Sequence, residues 1–271
     1  MGDRVAACAQ CWNLPVVANR SPGGRYRELV LRAPELAARM RPGQFVNVRC
    51  AEGLDPFLRR PFSVYRMDRA GGTFSLLYDV VGRGTGMMAR WEPGDAADVL
   101  APLGNWFAVP DGGGPLALVA GGVGVVPLVA LAEAVAPTGR PLHALLGART
   151  ADLLLGEADF RGLGATVDVS TDDGSRDHHG PVHSLLQALL DRGDRFDVVY
   201  ACGPRAMMAA VSRVAEGAGL PCFVSMEAGM ACGFGVCMGC AWRVRADEVK
   251  YRLVCTDGPI FDAREILWDM A

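Results

Sequence analysis

LALVAGGVGVVPL, residues 116–128, combines a continuous apolar strand, a glycine turn and the start of a helix. A strand that enters a helix through glycines favours nucleotide binding, because the turn lets a phosphate approach the helix N-terminus. The turn carries Gly121, Gly122 and Gly124, but Pro127 stands where the usual G-x-G-x-x-G pattern has its third glycine. Such a turn is often merely structural, so a second loop is needed to strengthen the prediction.

That second loop is YACGPRAMM, residues 200–208, which ends a strand and begins a helix at Cys202, Gly203 and Pro204. Around the two loops, buried apolar strands alternate with amphipathic helices, which predicts a doubly wound parallel sheet. Open parallel sheets bind ligands at the carboxyl ends of their strands, so both loops are expected on one edge. We therefore predict an α/β domain over residues 112–222 that binds a nicotinamide nucleotide.

The first third of the chain is rich in short alternating runs instead. RELVLRA (27–33), QFVNVRC (44–50) and GTFSLLYDVVG (72–82) are separated by Pro and Gly turns. Several short strands at this spacing predict a small β-barrel or sandwich. The turn-rich segment Asp111–Pro115 places the boundary, so the β-barrel domain is predicted over residues 1–111.

Four cysteines near the end of the chain follow the spacing C-x4-C-x2-C-x14-C: Cys232, Cys237, Cys240 and Cys255. This is the plant-type ferredoxin spacing for a [2Fe–2S] cluster. Structural zinc usually takes two separated C-x2-C pairs, and only one such pair, Cys237 and Cys240, occurs among these four cysteines, so zinc is the weaker alternative. Residues 223–271 hold too little apolar sequence for a core of their own, and we expect a cluster to organise them.

Composition sets the broad class. The 271 residues carry a formal net charge of −3, which gives no support for nucleic-acid binding. The sequence contains no run of 18 apolar residues, so no membrane span is predicted. The N-terminus lacks the apolar core of a signal peptide. We therefore expect a cytoplasmic protein with reduced thiols. Cys8 and Cys11 form a separate C-x2-C, which we interpret as surface thiols without an assigned role.

Two motifs in the β-rich third favour a phosphate-bearing ligand. RRPFSVY, residues 59–65, places an arginine before a rigid proline and a strand, where it could pair with a phosphate or stack on a flavin ring. VGRGTGMMA, residues 81–89, leads from Gly82, Gly84 and Thr85 into a short helix, again a phosphate-binding geometry. Each motif is weak when it is taken alone.

Together the motifs resemble the ferredoxin–NADP(H) reductase superfamily over nearly the whole chain. Within it, the sequence is most similar to electron-transfer subunits of two-subunit, NAD-dependent dihydroorotate dehydrogenases. The specific feature is MACGFGVCMGC followed by VCTDGPIFDAREI, which adds a ferredoxin-like cluster to the end of a reductase. The motifs that carry the resemblance are RPGQFVNV, RRPFSV, GRGTGMM, LVAGGVGVVPL, GART, TDDGS and ACGPRAMM.

The resemblance implies an FAD-binding barrel, an NAD-binding domain, and a [2Fe–2S] cluster on the four cysteines. It places the FAD against Arg60, Pro61, Phe62 and Ser63, the flavin also against Leu77, Tyr78 and Asp79, and its pyrophosphate at Gly84 and Thr85. NADP is not excluded, because Arg149 rather than an acid follows the strand LHALLGA. No catalytic acid or base is expected, since the cofactors carry the chemistry.

The resemblance also implies a function and a partner. Electrons would pass from an FMN-containing catalytic subunit, which oxidises dihydroorotate to orotate in pyrimidine biosynthesis, through the cluster and FAD to NAD. The assembly would be a heterotetramer with two copies of each subunit. The alternatives are the small subunit of an NAD(P)H-dependent ferredoxin oxidoreductase or a sulfide dehydrogenase, and, in another class, a zinc-stapled regulator without catalysis.

Overall fold

The computed structural model describes residues 9–23, 25–245 and 250–268. The described chain divides into two compact units. The first comprises the chain up to Trp106 with Glu227–Ala241 and Leu253–Pro259, and the second comprises Phe107–Met226, Trp242–Arg252 and the chain from Ile260 onward. The C-terminal segment therefore contributes residues to both units. The three-domain division at residues 111 and 222 stays a prediction.

The first unit is a barrel-like antiparallel sheet of seven strands with two short helices. The strand order is β4-β3-β7-β1-β2-β6-β5. Val46, Val48 and Cys50 alternate toward a shared apolar core, which explains why the QFVNVRC run forms a strand. The elements are β1 Gln10–Gly23, β2 Tyr26–Arg32, α1 Pro34–Arg39, β3 Phe45–Arg49, β4 Arg60–Ser63, β5 Arg66–Asp68, β6 Thr73–Asp79, α2 Arg83–Met88 and β7 Ala96–Leu103.

The second unit is the predicted parallel sheet flanked by helices. Its core strand β8 is buried at every residue, as a strand covered on both faces must be. The elements are β8 Leu116–Gly121, α3 Val125–Val135, β9 Leu142–Ala148, α4 Glu157–Gly162, β10 Thr166–Thr171, β11 His178–His179, α5 Val182–Arg192, β12 Val198–Cys202, α6 Arg205–Gly217 and β13 Cys222–Ser225.

The strand order of this sheet decides where a ligand would bind. It runs β11-β10-β9-β8-β12-β13 and ends on the antiparallel strand β16, Ile260–Asp262. Because β8 lies between β9 and β12, the chain reverses its direction of strand addition at β8. That reversal is the topological switch point at which doubly wound sheets bind nucleotides. A separate ribbon pairs β14, Ala241–Val244, with β15, Lys250–Leu253.

No helix within the described ranges is long and apolar enough to span a lipid bilayer.

A carboxylate on α4 holds the loop after β10. Arg176 donates from Nη1 to Glu157 Oε2 and from Nη2 to Oε1, both at 2.8 Å, and Arg161 adds a third contact at 3.0 Å. The hydrogen bonds from Arg176 are the main reason that the pKa of Glu157 lies below its ordinary value. The pair therefore stabilises the fold most when Glu157 is ionised.

Glu157→Gln is expected to lower the free energy of unfolding by about 1 kcal/mol at pH 7, because the pair is partly solvent-exposed. A depressed folded-state pKa adds stability above the unfolded pKa of about 4.3 and loses it as pH falls through the folded value. The difference from wild type should therefore shrink between about pH 5 and pH 3.5. Urea unfolding at both ends of that range measures it, and a difference independent of pH would contradict the assignment.

Candidate functional site

The four cysteines of the predicted cluster lie in the first unit as two contacting pairs, Cys232 with Cys237 and Cys240 with Cys255. Cys232, Cys237 and Cys240 lie on residues 232–240, which we call the cluster loop. Within this loop the Cys237 N–H donates to Cys232 Sγ at 3.4 Å. The Cys240 carbonyl accepts from Val254 N–H at 3.2 Å, which brings Cys255 alongside. The loop thus already directs backbone N–H groups at sulfur, as a site for a negatively charged cluster requires.

Two of these thiols have opposite pKa shifts. Burial raises the pKa of Cys232, but N–H groups of Cys237, Phe234 and Val236 outweigh it, and the pKa falls to about 6. Burial, a hydrogen bond shared with Cys240 and nearby thiolate charge raise the pKa of Cys255 to about 12. One thiolate is therefore ready to bind metal at neutral pH, whereas the buried one needs a cation to offset its charge.

Glycines make the loop possible. Gly233 and Gly235 have φ values of +82° and +88°, in the left-handed region that side chains disfavour. A Cβ on Gly233 would lie 2.1 Å from Asn47 Nδ2, and one on Gly235 would lie 3.0 Å from Thr256 Cγ2. The donor set of four sulfurs, the inward N–H groups and these glycines fit a [2Fe–2S] cluster.

Other cysteines have ordinary structural environments. Cys50, Cys202 and Cys222 are buried, as expected for small packing residues, and burial raises the pKa of Cys222 to about 12. Cys11 is exposed on β1, and Cys8 lies outside the described residues. Among the described residues, no three His, Cys, Asp or Glu side chains surround a point suited to a single metal ion.

The predicted pyrophosphate site brings Arg60 to the start of α2. A Cβ on Gly84 would lie 3.1 Å from Cys50 Sγ and 3.5 Å from Arg60 Nε, so a larger residue there would push on the Cys50 side chain. Thr85 Oγ1 accepts from the N–H groups of Val81 and Gly82 at 3.1 Å each, which fixes the turn. A guanidinium beside the first backbone N–H groups of a helix favours binding of an anion. The Thr85 hydroxyl oxygen is already used by the hydrogen bonds that hold the turn.

The other predicted flavin residues lie on β4 and at the end of β6. Pro61, Phe62 and Ser63 are half-buried on β4, and the Phe62 ring packs edge-on against Tyr78 with centroids 5.9 Å apart. Tyr78 belongs to the apolar core, and its hydroxyl donates to Asn19 at 3.1 Å. Leu77 is also buried, and Asp79 pairs with Arg25.

The two predicted nucleotide loops lie side by side in the second unit. Ala120 at the end of β8 is in register with Cys202 at the end of β12. A Cβ on Gly124 would lie 2.1 Å from the Cys202 carbonyl oxygen, and one on Gly203 would lie 3.0 Å from Gly121 N. Gly122 has φ +55° and open space beside it. These glycines let the loops touch and leave a concave edge at the switch point.

Neither Asn47 nor Cys50 has a role that the sequence patterns predict. The signal in the sequence is a polar residue among hydrophobic ones, FVNV at residues 45–48. All four of these positions are buried in the structure. The proximity of Asn47 to Gly233, and that of Cys50 to Gly84, depend on contacts between distant segments. No local spacing rule predicts such contacts.

Comparison with known families gives two matches. Residues 227–267 match the iron–sulfur cluster binding domain of dihydroorotate dehydrogenase B. Residues 118–213 match the oxidoreductase NAD-binding domain. The first range contains all four cysteines, and the second contains both glycine loops, so each match coincides with a site built above from geometry.

Similar proteins extend over nearly the whole chain. The dihydroorotate dehydrogenase B (NAD(+)) electron transfer subunit of Geobacillus thermodenitrificans is 40% identical over 94% of this chain and 97% of its own length. That of Bacillus caldolyticus is 39% identical, with the same coverage of both chains. These matches also extend over the chain before residue 118, which neither family model covers.

Solved structures agree on the architecture. A chain of the NADH-dependent reduced ferredoxin-NADP oxidoreductase superposes with a TM-score of 0.83, at 32% identity over 94% of this chain and 90% of that chain. A ferredoxin NADP+ reductase from Neisseria gonorrhoeae with bound FAD and NADP superposes with a TM-score of 0.65, at 16% identity over 77% of this chain and 92% of that one. The second likeness concerns the fold alone.

Proposed function

The chain belongs to the family of electron transfer subunits of dihydroorotate dehydrogenase B (NAD(+)), and on that premise we propose how its residues serve electron transfer in dihydroorotate oxidation. It is an oxidoreductase subunit with a ferredoxin reductase-like fold, and its cofactors are FAD, a [2Fe–2S] cluster and NAD. The observation that carries the proposal is the placement of two contacting cysteine pairs, Cys232 with Cys237 and Cys240 with Cys255, in the unit that also contains β4.

In this proposal, residues of the first unit bind and orient FAD. When bound, FAD exchanges electron pairs with a nicotinamide and single electrons with an iron–sulfur cluster. Arg60 and the first amides of α2 would hold the pyrophosphate, since both favour negative charge. Pro61, Phe62 and Ser63 would lie against the flavin, with Leu77, Tyr78 and Asp79 supporting it from β6. Gly84 leaves Arg60 room to approach.

The second unit would bind the nicotinamide nucleotide at the edge formed by its two glycine loops. Gly121, Gly122 and Gly124 would take the phosphates at the start of α3, and Cys202, Gly203 and Pro204 would close the other side. NAD is the expected nucleotide, because the relatives are named for NAD(+). Arg149, exposed after β9, keeps NADP as the alternative, and steady-state rates with NADH and NADPH decide between them.

A partner must accept or deliver electrons at the cluster. We infer that it is an FMN-containing catalytic subunit, and that two copies of each subunit assemble. Copurification with such a subunit, followed by light scattering of the complex and an assay of dihydroorotate oxidation with NAD+, tests this directly. A complex of other stoichiometry would contradict the assembly, and a complex without dihydroorotate-dependent NADH formation would contradict the function.

The apolar side chains on the cluster loop are the docking surface that we propose for this partner. Phe234, Val236 and Met238 are 51%, 72% and 55% exposed, although each is hydrophobic. Exposed apolar residues around a redox site favour a protein contact, because a short approach and exclusion of water both help electron transfer.

Val236→Asp is expected to weaken binding of the catalytic subunit about tenfold or more, because it places an unpaired charge in an apolar contact. Leu54→Asp, at a residue 78% exposed on a loop of the β-rich unit, is the matched control and should leave the affinity unchanged. Calorimetric titration measures both variants after their cluster absorption is checked. Equal effects of the two substitutions would place the docking surface elsewhere.

A second candidate function rests on the structural neighbour at 32% identity, which acts with ferredoxin and NADP. NADH-dependent reduction of ferredoxin by the isolated chain would favour this reading. The 40% identical relative over 97% of its own length favours the dihydroorotate function.

A further inference from the structure

Asn47 is a polar side chain with an unusual position in the barrel. It lies on β3 and is completely buried, between Val46 and Val48, which are also inaccessible to solvent. Neither Nδ2 nor Oδ1 of its carboxamide has a hydrogen-bond partner among the described residues. Buried amides almost always have partners, so an orphaned one indicates a group that the protein binds but does not itself supply.

The carboxamide faces the cluster loop. A Cβ placed on Gly233 would lie 2.1 Å from Asn47 Nδ2 and 3.3 Å from Leu103 Cδ1, so Gly233 packs directly on this amide. Gly233 is buried and follows Cys232, the first cysteine of the cluster motif. Asn47 therefore lies one residue away from a predicted cluster ligand, with its donor nitrogen toward the loop.

The same residue also touches the strand predicted to hold the flavin. Asn47 is directly opposite Pro61 in the antiparallel pair of β3 and β4. Both contacts lie within the first unit. Asn47 thus contacts both the strand predicted to hold the flavin and the cluster loop. A polar group at this position would change the electrostatic potential along the path between the two cofactors.

We propose that Asn47 is a positioning residue that donates a hydrogen bond from its amide to sulfur of the [2Fe–2S] site at the Cys232 end of the loop. This inference rests on the proposed function, because it requires the cluster to be present. Hydrogen bonds to the sulfurs of an iron–sulfur cluster raise its reduction potential, since the reduced cluster carries more negative charge. Asn47 would therefore favour reduction of the cluster.

Asn47→Leu keeps the size of the side chain and removes the donor. We expect the loaded variant to show an equilibrium constant for one-electron cluster reduction about tenfold smaller, which corresponds to about 59 mV. A redox titration of the full chain, followed by cluster absorption and paramagnetic resonance, measures this without any turnover assay. A fully loaded Asn47→Leu protein with the wild-type potential would overturn the proposal.

Leu103→Val is the matched control, because it disturbs packing against the same Gly233 and carries no polar group. Its potential should equal that of wild type, and an equal shift in both variants would assign the effect to packing and overturn the hydrogen bond. If Asn47→Leu does not load iron and sulfide, Asn47→Val replaces it: a smaller apolar side chain that suits a strand removes the donor without added bulk, and the potential should fall by a similar amount.

An Asn47→Val protein with unchanged potential would likewise refute the proposal. Failure of the underlying function has a different signature. A wild-type chain that binds flavin but contains no iron or sulfide would contradict the cluster itself, whereas the Asn47 variants change the potential of a cluster that is present.

Discussion

Cys237→Ser is expected to remove the visible absorption of the [2Fe–2S] cluster while FAD stays bound. Cys237 is one of the three loop cysteines of the predicted ligand set, and its N–H also donates to Cys232 Sγ, so the substitution changes a ligand at an organised site. Mutating residues that merely support metal ligands costs 10- to 100-fold in affinity or activity, so removing a ligand should cost about 100-fold or more. Iron and sulfide content should fall accordingly.

The variant also separates the two cofactor sites. Arg60, Phe62 and Ser63, which we assign to FAD, lie on β4 and do not depend on the Cys237 side chain. NADH should therefore still reduce the flavin, whereas electron transfer to the catalytic subunit should be lost. Cys11→Ser, at an exposed thiol of β1, is the control and should retain the cluster. Full cluster absorption in the Cys237→Ser protein would show that the ligand assignment is wrong.

Gly124→Ala is expected to have the largest effect in the second unit. Its Cβ would lie 2.1 Å from the Cys202 carbonyl oxygen and 2.7 Å from Gly203 N, and both are backbone atoms that cannot move aside alone. Overpacking of this kind costs about 3 kcal/mol of stability. The two loops must separate to relieve it, and a displacement of about 1 Å at a binding site can reduce a rate about 100-fold.

Stopped-flow reduction of the flavin by NADH measures that loss, and thermal unfolding measures the change in stability. Gly162→Ala is the matched control: a Cβ there meets no atom within 4 Å, so this variant should bind NADH normally. Alanine at a helical glycine should, if anything, stabilise α4 by up to about 1 kcal/mol. Wild-type NADH kinetics in Gly124→Ala would place the nucleotide away from these loops.

The elements that could be predicted from sequence are those whose apolar runs begin directly after a glycine or a proline. Strand β9, Leu142–Ala148, coincides with the predicted strand LHALLGA after Pro141, and helix α3, Val125–Val135, begins directly after the glycine turn. Strand β1, Gln10–Gly23, does not show the regular alternation of apolar and polar residues that predicts a strand. Irregularities near Val16 and Arg20 break its register with β2. Strand β7, Ala96–Leu103, escapes it because it is buried on both faces over its second half.

The spacing rule assigns all four cysteines to one cluster, and this ligand assignment stays a prediction. What surrounds these cysteines could not be predicted. The contact of Asn47 with Gly233 joins β3 to a loop far along the sequence, and Arg60 reaches Gly84 across another turn. Side chains brought together by tertiary packing leave no periodic pattern, and only the polar Asn47 within a buried run marks its position in the sequence.

Anaerobic titration of the purified wild-type chain with NADH shows whether the flavin and the cluster form one path for electrons. We predict that NADH reduces both the flavin and the [2Fe–2S] cluster, followed separately by absorption and paramagnetic resonance, and that dihydroorotate does the same once the catalytic subunit is added. Reduction of the flavin with a cluster that stays oxidised, or a purified chain that holds zinc and no flavin, would contradict it.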